Sequence, residues 1–282
     1  MSRTVYVNGS YLPEEDAKVS VFDRGFLFAD GVYEVSTVLE GRLIDNEAHL
    51  VRLKRSLNEL QMESPASPAE IVEIQNELIK RNGLKEGGLY LQVTRGAADR
   101  DFAFPKDATP TLVMFTQEKN LLNSPAAEKG ISVISVEDIR WGRRDIKTVG
   151  LLAPALAKQA AVVAGVDDAW LYEDGYVTEG SSNNAYIITK AGTIVTRNLG
   201  NEILNGITRR AVLELANEAD MEVEERSFTL DEAANAAEAF VTSATTFVTP
   251  VISLDGKAIG DGKPGPLAKR LRQLYIEQAL ES

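Results

Sequence analysis

Alternating apolar and polar positions open the chain. In "TVYVNGSYL" the alternation breaks at Asn8-Gly9, the dipeptide best suited to a two-residue hairpin, and "GVYEVSTVLEGRLI" repeats the pattern around Glu40-Gly41. The first 40 residues therefore predict strands with short turns. The period then lengthens. "NEAHLVRLKRSLNEL", with Asn46 as its cap, and "SPAEIVEIQNELIKRNG" place apolar residues at helical spacing. In the second segment Ser67 and Glu70 form a capping box, Pro68 takes the first helical position and Gly83 closes the helix. "GLYLQVTRG" and "TLVMFTQ" return to strand. Strands, helices, then strands without regular β-α-β alternation predict an α+β domain over residues 1–118.

The polar stretch "EKNLLNSPAAEKG" follows, and residues 119–130 read as a linker. From Ile131 a second α+β domain, richer in strands, is predicted over 131–282. It runs through a strand, the Ala-rich helix "LLAPALAKQAAVVAG" and the hairpin "AWLYEDGYVTEG" turning at Asp174-Gly175. A second hairpin, "NAYIITKAGTIVT", the helix "GITRRAVLELANEA", the strand-and-turn run "EAFVTSATTFVTPVISLDGKAIGDG" and a last helix, "PLAKRLRQLYIEQALE", complete it.

Totals narrow the chemistry. A chain of 282 residues suits two domains of about 100–150 residues each. With 44% hydrophobic and 26% charged residues it reads as a folded protein. A net charge of -12 argues against nucleic acid, whose phosphates need a basic face, and favours small-molecule partners. No run of eighteen apolar residues occurs and "MSRTVYVNGSYLP" lacks the apolar core of a signal peptide, so no membrane segment and a cytoplasmic location are expected. The absence of cysteine fits that compartment, and removes thiolate nucleophiles, Cys-based zinc sites and Fe–S clusters. His49 is the one histidine, so a multi-histidine metal centre is excluded. A Ser-His-Asp triad would have to use His49, which lies in a helical pattern, and no G-x-S-x-G elbow exists. His49 is read as a packed or capping residue. Any acid–base group is then Lys, Tyr, Asp or Glu.

Four stretches could carry such chemistry. "YVTEGSSNNAY" ends a strand-like run on Glu179 and continues with small and polar residues, which suit a plain surface turn unless the carboxylate has a partner. "IRWGRRDIKTVGLL" sets Lys147 among apolar, β-branched neighbours, close behind Arg143, Arg144 and Asp145. Such a lysine is either an edge-strand residue with its ammonium in water or an amine prepared for Schiff-base chemistry. "NEILNGITRRAV" puts Gly206, Ile207 and Thr208 ahead of a helix, where Thr208 either caps the helix or joins free N–H groups in holding an anion. "FVTSATTF" offers Ser243, Thr245 and Thr246 after another strand. Arg52 is a bidentate phosphate ligand or a solvated charge. Taken together, a lysine for an aldehyde, a cradle for a phosphate and a carboxylate for a ring nitrogen meet the needs of pyridoxal phosphate.

The chain resembles the fold-type IV pyridoxal-phosphate transaminases, and among them the D-amino acid (D-alanine) transaminases, over nearly its whole length. The resemblance is carried by "DRGFLFADGVYEV", "HLVRLKRS", "TRG" followed by Arg100, "DIKTVGLL", "VTEGSSNNAY", "NEILNGITR" and "FVTSATTFVTPV" in that order. It implies two α/β domains with the cofactor between them, in a homodimer whose sites borrow a loop from the neighbouring subunit. It further implies that Lys147 binds the cofactor as an imine and moves a proton between the substrate α-carbon and cofactor C4′. Glu179 would pair with the pyridinium nitrogen. Arg52, Gly206, Ile207, Thr208, Ser243, Ala244 and Thr245 would serve the phosphate. Leu204 would pack on the ring, Ser181 and Ser182 would lie beside it, and Tyr33 and Val35 would face the substrate.

Two positions depart from the family pattern. The loop "TRGAADRDFAF" keeps Arg100 for the substrate carboxylate but has Phe102 where D-alanine transaminases typically carry a histidine. Losing that contact would cost about 1–3 kcal/mol unless Arg143 or Arg144 replaced it. Ala244 stands where relatives often have threonine. The activity implied is ping-pong transamination between a D-amino acid, D-alanine or D-glutamate, and a 2-oxo acid. An (R)-selective amine transaminase, a branched-chain L-amino acid transaminase, an aminodeoxychorismate lyase and a non-catalytic binding relative are the alternatives.

Overall fold

A computed structural model describes residues 2–281. By internal contacts the chain divides into two units: residues up to Asn120 with Ile146–Gly150, and Leu121–Asp145 with Leu151 onward.

In the first unit β1 (Thr4–Val7), β2 (Ser10–Pro13), β3 (Gly31–Leu39), β4 (Arg42–Ile44), β5 (Gly87–Thr94) and β6 (Thr111–Glu118) form one antiparallel sheet, ordered β2-β1-β6-β5-β3-β4. The predicted hairpins turn where expected: Asn8 and Gly9 have φ of 43° and 94°, Glu40 and Gly41 of 51° and 78°. Left-handed values at both central residues match the right-handed twist of the strands they join. Helices α2 (Asn46–Glu59) and α3 (Pro68–Asn82) cover one face, burying Leu53, Leu57, Ile71 and Leu78 against Val32, Val38, Leu89 and Met114. Each such side chain contributes roughly 1.5–3 kcal/mol on leaving water. The Ser67/Glu70 capping box, Pro68 and the Gly83 cap are all present in α3.

Three local features differ from the sequence reading. A short helix, α1 (Arg24–Phe28), interrupts the opening strands, capped by the Asp23 carboxylate on the Gly25 N–H at 2.8 Å. The cap of α2 is Asp45, in left-handed conformation, while the Asn46 side chain is drawn to Ser36 and Gln75. Ile146–Gly150 packs with the first unit although the sequence assigned Lys147 to the second domain. The cause is backbone pairing: Tyr33 N donates to Lys147 O at 3.0 Å, Val149 N to Gly31 O at 3.0 Å, and Ile146 enters the first unit's core.

The second unit begins with α4 (Pro125–Lys129), which occupies part of the stretch read as linker. Its sheet contains β7 (Ile131–Glu137), β8 (Asp168–Glu173), β9 (Tyr176–Gly180), β10 (Asn184–Ile188), β11 (Ile194–Thr196), β12 (Val223–Glu225), β13 (Glu238–Ser243), β14 (Phe247–Leu254) and β15 (Lys257–Ala258). The order is β12-β11-β10-β13-β14-β7-β8-β9, with β15 on β14. Pairs β11/β12, β14/β7 and β7/β8 are parallel, the rest antiparallel. The helices are α5 (Leu152–Val163), α6 (Ile207–Glu218), α7 (Leu230–Ala234) and α8 (Pro266–Glu281). Trp170, Val177, Ile187, Phe228 and Val241 belong to the core, and α6 packs on β13 and α8. No helix among the described residues is long and apolar enough to cross a membrane.

Candidate active site

In the first unit, Lys147 is fixed through its backbone. Its carbonyl accepts from Tyr33 N, its N–H donates to Ser56 Oγ at 3.4 Å, and Thr148 bridges Val32. The side chain is held far more loosely. Nζ sits 4.3 Å from the Tyr33 ring centroid and has no ion-pair or hydrogen-bond partner among the described residues. Tyr33 stacks on Tyr90 at 5.6 Å and Tyr90 on Phe115 at 4.7 Å, so an aromatic wall runs across three strands. Burial pushes the Tyr90 phenol up to about 12, and its O–H donates to Gln92 Oε1 at 2.7 Å. An amine beside an aromatic surface, with no carboxylate bonded to it among the described residues, is placed to reach a carbonyl.

Strand alternation sends Tyr33 and Val35 to one face of β3 and Glu34 to the other, toward α2. There Glu34 is 1% exposed and accepts from Arg52 Nε at 2.8 Å and Nη2 at 2.7 Å, while His49 Nδ1 lies 2.7 Å away. Desolvation pushes this carboxyl up, but the charge and bidentate bonds of Arg52, with His49, bring it down to about 2. Desolvation also lowers His49, which is therefore packed as expected. Two donors of Arg52, read from sequence as a phosphate ligand or a solvated charge, are thus engaged by a buried glutamate.

Arg100 and Phe102 meet on an exposed loop. The guanidinium lies 5.6 Å from the Phe102 ring and 5.3 Å from Phe28, whose ring packs edge-on to Phe102 at 5.5 Å. Phe102 itself is 79% exposed. The two arginines considered as substitutes are committed elsewhere, Arg143 to Asp145 at 2.9 Å and Arg144 to Glu173 at 2.9 Å.

The second unit gathers the other expected residues. Glu179, near the end of β9, is buried; its Oε2 accepts from Asn184 Nδ2 at 3.1 Å and Leu204 N at 3.2 Å, and its Oε1 from Arg140 Nη1. Burial pushes its carboxyl up, and Arg140 only partly offsets this because that guanidinium also grips Asp138 at 2.6 and 2.9 Å. The run after Glu179 is a turn as well: Gly180 N donates to Asn183 O at 2.7 Å, Ser181 Oγ donates to Asp168, and Ser182 is exposed. The stretch is a turn, and the carboxylate that precedes it has a partner in Arg140.

Asn184 ties Glu179 to the neighbouring loop, donating also to Leu204 O at 2.9 Å. Its Oδ1 lies so close to Gly206 that a Cβ there would sit 2.1 Å away, which explains the glycine. Gly206 caps α6 with no side-chain bond, so Thr208 is a first-turn residue and does not cap. Thr208 is 3% exposed, yet its hydroxyl has no partner among the described residues. Asn184 pairs in register with Thr242, which brings the turn after β13 to the same end of the sheet. In that turn Ser243 and Thr246 hydroxyls lie 2.8 Å apart, Ala244 follows Ser243, and Thr245 has no hydrogen-bond partner among the described residues. An uncapped helix start, two unpartnered hydroxyls and a buried carboxylate fit a phosphate ester with a cationic ring.

Sequence reasoning did not single out Glu34, Tyr90, Arg140 or Asn184. The signal for Glu34 was a carboxylate on the inward register of an apolar strand; Arg140 had no signal beyond its two arginine neighbours.

The sequence matches the family described as Amino-transferase class IV over residues 31–254. A D-alanine aminotransferase from Staphylococcus aureus (strain N315) is 40% identical, covering 99% of this chain and 98% of the relative. Another, from Bacillus licheniformis, is 41% identical over 95% and 94%. Among solved structures, a T.th. branched-chain amino acid aminotransferase with pyridoxamine 5'-phosphate has a TM-score of 0.91 at 29% identity, covering 99% of this chain and 94% of that one. This chain belongs to the class IV amino-transferase family, and it is a pyridoxal-phosphate-dependent enzyme of fold type IV.

Proposed function

We propose that this enzyme transfers an amino group between a D-amino acid, D-alanine or D-glutamate, and a 2-oxo acid such as pyruvate or 2-oxoglutarate, in two half-reactions. The observation that carries the chemistry is Lys147, whose backbone carbonyl and N–H are both hydrogen-bonded while its amine has no ionic partner among the described residues. The choice of D-amino acids is supported by the names of its relatives at about 40% identity along nearly the full chain.

When bound, pyridoxal phosphate supplies an aldehyde and an electron-accepting ring. Lys147 Nζ would hold the aldehyde carbon, and the same amine would move the proton at the substrate α-carbon. Glu179 would keep the ring nitrogen protonated, Leu204 would pack on the ring, and Ser181 and Ser182 would lie beside it. Thr208, Thr245, Ser243 and the N–H groups opening α6 bind phosphate. Tyr33 and Val35 line the substrate side, and Arg100 receives the carboxylate. The large exposed side chains Phe26, Phe102, Phe104, Leu152 and Val163 support a homodimer, since a second copy would cover them. A cysteine-free chain is in keeping with the cytoplasm.

A donor screen tests the assignment. D-alanine is expected to react well above L-leucine and (R)-1-phenylethylamine, and borohydride to fix the cofactor on the peptide carrying Lys147. Lys147→Ala should lose multiple turnover while keeping its circular dichroism. Preference for L-leucine would replace this reading with the branched-chain one. The exposed Phe102 beside Arg100 favours (R)-amines as a second reading, which preference for (R)-1-phenylethylamine would establish.

A further inference from the structure

Helix α8 carries a buried cation with no carboxylate partner among the described residues. Arg272 is 9% exposed and spends its donors on main-chain carbonyls: Nη1 on Thr246 O at 2.8 Å and Val248 O at 3.1 Å, Nη2 on Leu122 O at 3.3 Å and on Leu121 O. A buried guanidinium is retained only where its forked donors are satisfied, and here the satisfaction is entirely backbone.

The two Nη1 bonds grip the hairpin turn that follows β13. Thr246 O also accepts from Thr249 Oγ1 at 3.0 Å, and Thr246 N donates weakly to Ser243 O at 3.4 Å. The next residue, Phe247, is fully buried with φ of 57°, a left-handed value that a bulky aromatic side chain disfavours. Its ring is held by two residues one turn apart on α8: Tyr275 at 5.2 Å between centroids and the Arg272 guanidinium at 5.4 Å. In a trans peptide the C=O and N–H point in opposite directions. Fixing the Thr246 carbonyl on α8 therefore turns the N–H of Phe247 away from α8. Thr245, one residue earlier, keeps its hydroxyl and N–H without a partner among the described residues, as Thr208 keeps its hydroxyl at the start of α6.

We propose that Arg272 is a positioning residue for phosphate binding: it draws the Thr246 and Val248 carbonyls toward α8, leaving the hydroxyl and N–H of Thr245 to an anion, and adds an uncompensated positive charge behind them. This rests on the functional reading above. Arg272 touches neither substrate nor cofactor in this role; it acts through the turn.

The test compares pyridoxal phosphate with pyridoxal, which lacks the phosphate, on protein freed of cofactor. Wild-type protein should bind the phosphorylated form much more tightly. Arg272→Met should reduce that preference by about tenfold or more, with pyridoxal affinity unchanged. Arg272→Lys keeps the charge but has fewer donors, is the variant to rely on should the first fail to fold, and should fall between. An unaltered preference in the folded variants overturns the proposal, even if their melting temperatures drop. Wild-type protein with no preference for the phosphate would overturn the functional reading itself, a separable outcome.

Discussion

Glu34 and Glu179 are both buried and both bonded to an arginine, yet their carboxyls move in opposite directions. Glu34 receives two guanidinium bonds and a histidine, and charge and bonding outweigh desolvation. Glu179 shares its arginine with Asp138, takes the rest of its bonds from neutral amides, and desolvation prevails. The first is a carboxylate whose charge is matched by its partners. The second is a carboxylate short of positive charge, the condition under which a cationic heterocycle gains most from arriving beside it.

Substitution should separate the two. Glu179→Gln removes the negative charge proposed to keep a ring nitrogen protonated, so kcat should fall on the order of 10²–10³-fold, the usual scale for a preorganised charge. The same variant should be no less stable than wild type. A raised folded-state pKa means stability that is present below the unfolded value and lost as pH rises, and a neutral amide escapes that loss. Wild-type kcat in steady-state assays of Glu179→Gln would remove its functional role.

Glu34→Gln should do the reverse and lower unfolding free energy by about 3–5 kcal/mol in denaturant titrations, because it leaves Arg52 buried without its counter-charge. A loss below ~1 kcal/mol would mean that solvent reaches the cluster.

The mildest perturbation is acid. The Glu34 carboxyl goes from 4.5 to about 2 on folding, so it contributes about 3 kcal/mol that is complete above pH 4.5 and disappears as pH falls toward 2. His49 acts in the same sense at higher pH: its depressed value means stability declines once pH drops below its ordinary 6.5. Denaturation midpoints measured from pH 7 to 3 should therefore fall in wild type and flatten below pH 4.5 in Glu34→Gln. Parallel curves would contradict the cluster's state.

Features set by a few adjacent residues were legible beforehand. Asn8-Gly9 and Asp174-Gly175 turn as read, and the Ser67/Glu70 box caps its helix, since such signals need only local backbone geometry. What depended on distant partners was not legible. Asn46 is a good cap by type, but Ser36 and Gln75 claim its side chain and Asp45 takes the position. Helix α1 is five residues long and contains Gly25, too short to show a period. The apolar neighbours of Lys147 left an edge strand and a prepared amine both open, and sequence order alone put it in the second unit, whereas Ile146–Gly150 packs with the first. Glu179 was legible as a turn residue from its neighbours; its role came from the resemblance, and Asn184 and Arg140, which complete its surroundings, join it only by folding.

The five residues around Lys147 also decide how this protein can be dissected. The chain leaves the first unit at Asn120, returns for Ile146–Gly150, and departs again. A fragment ending at Asn120 would keep the six-stranded sheet and forfeit the amine, and one starting at Leu121 would carry the amine without the strand that pins it. Neither half can be expressed as a working module, so rearranged or exchanged versions must carry that inserted segment together with β3.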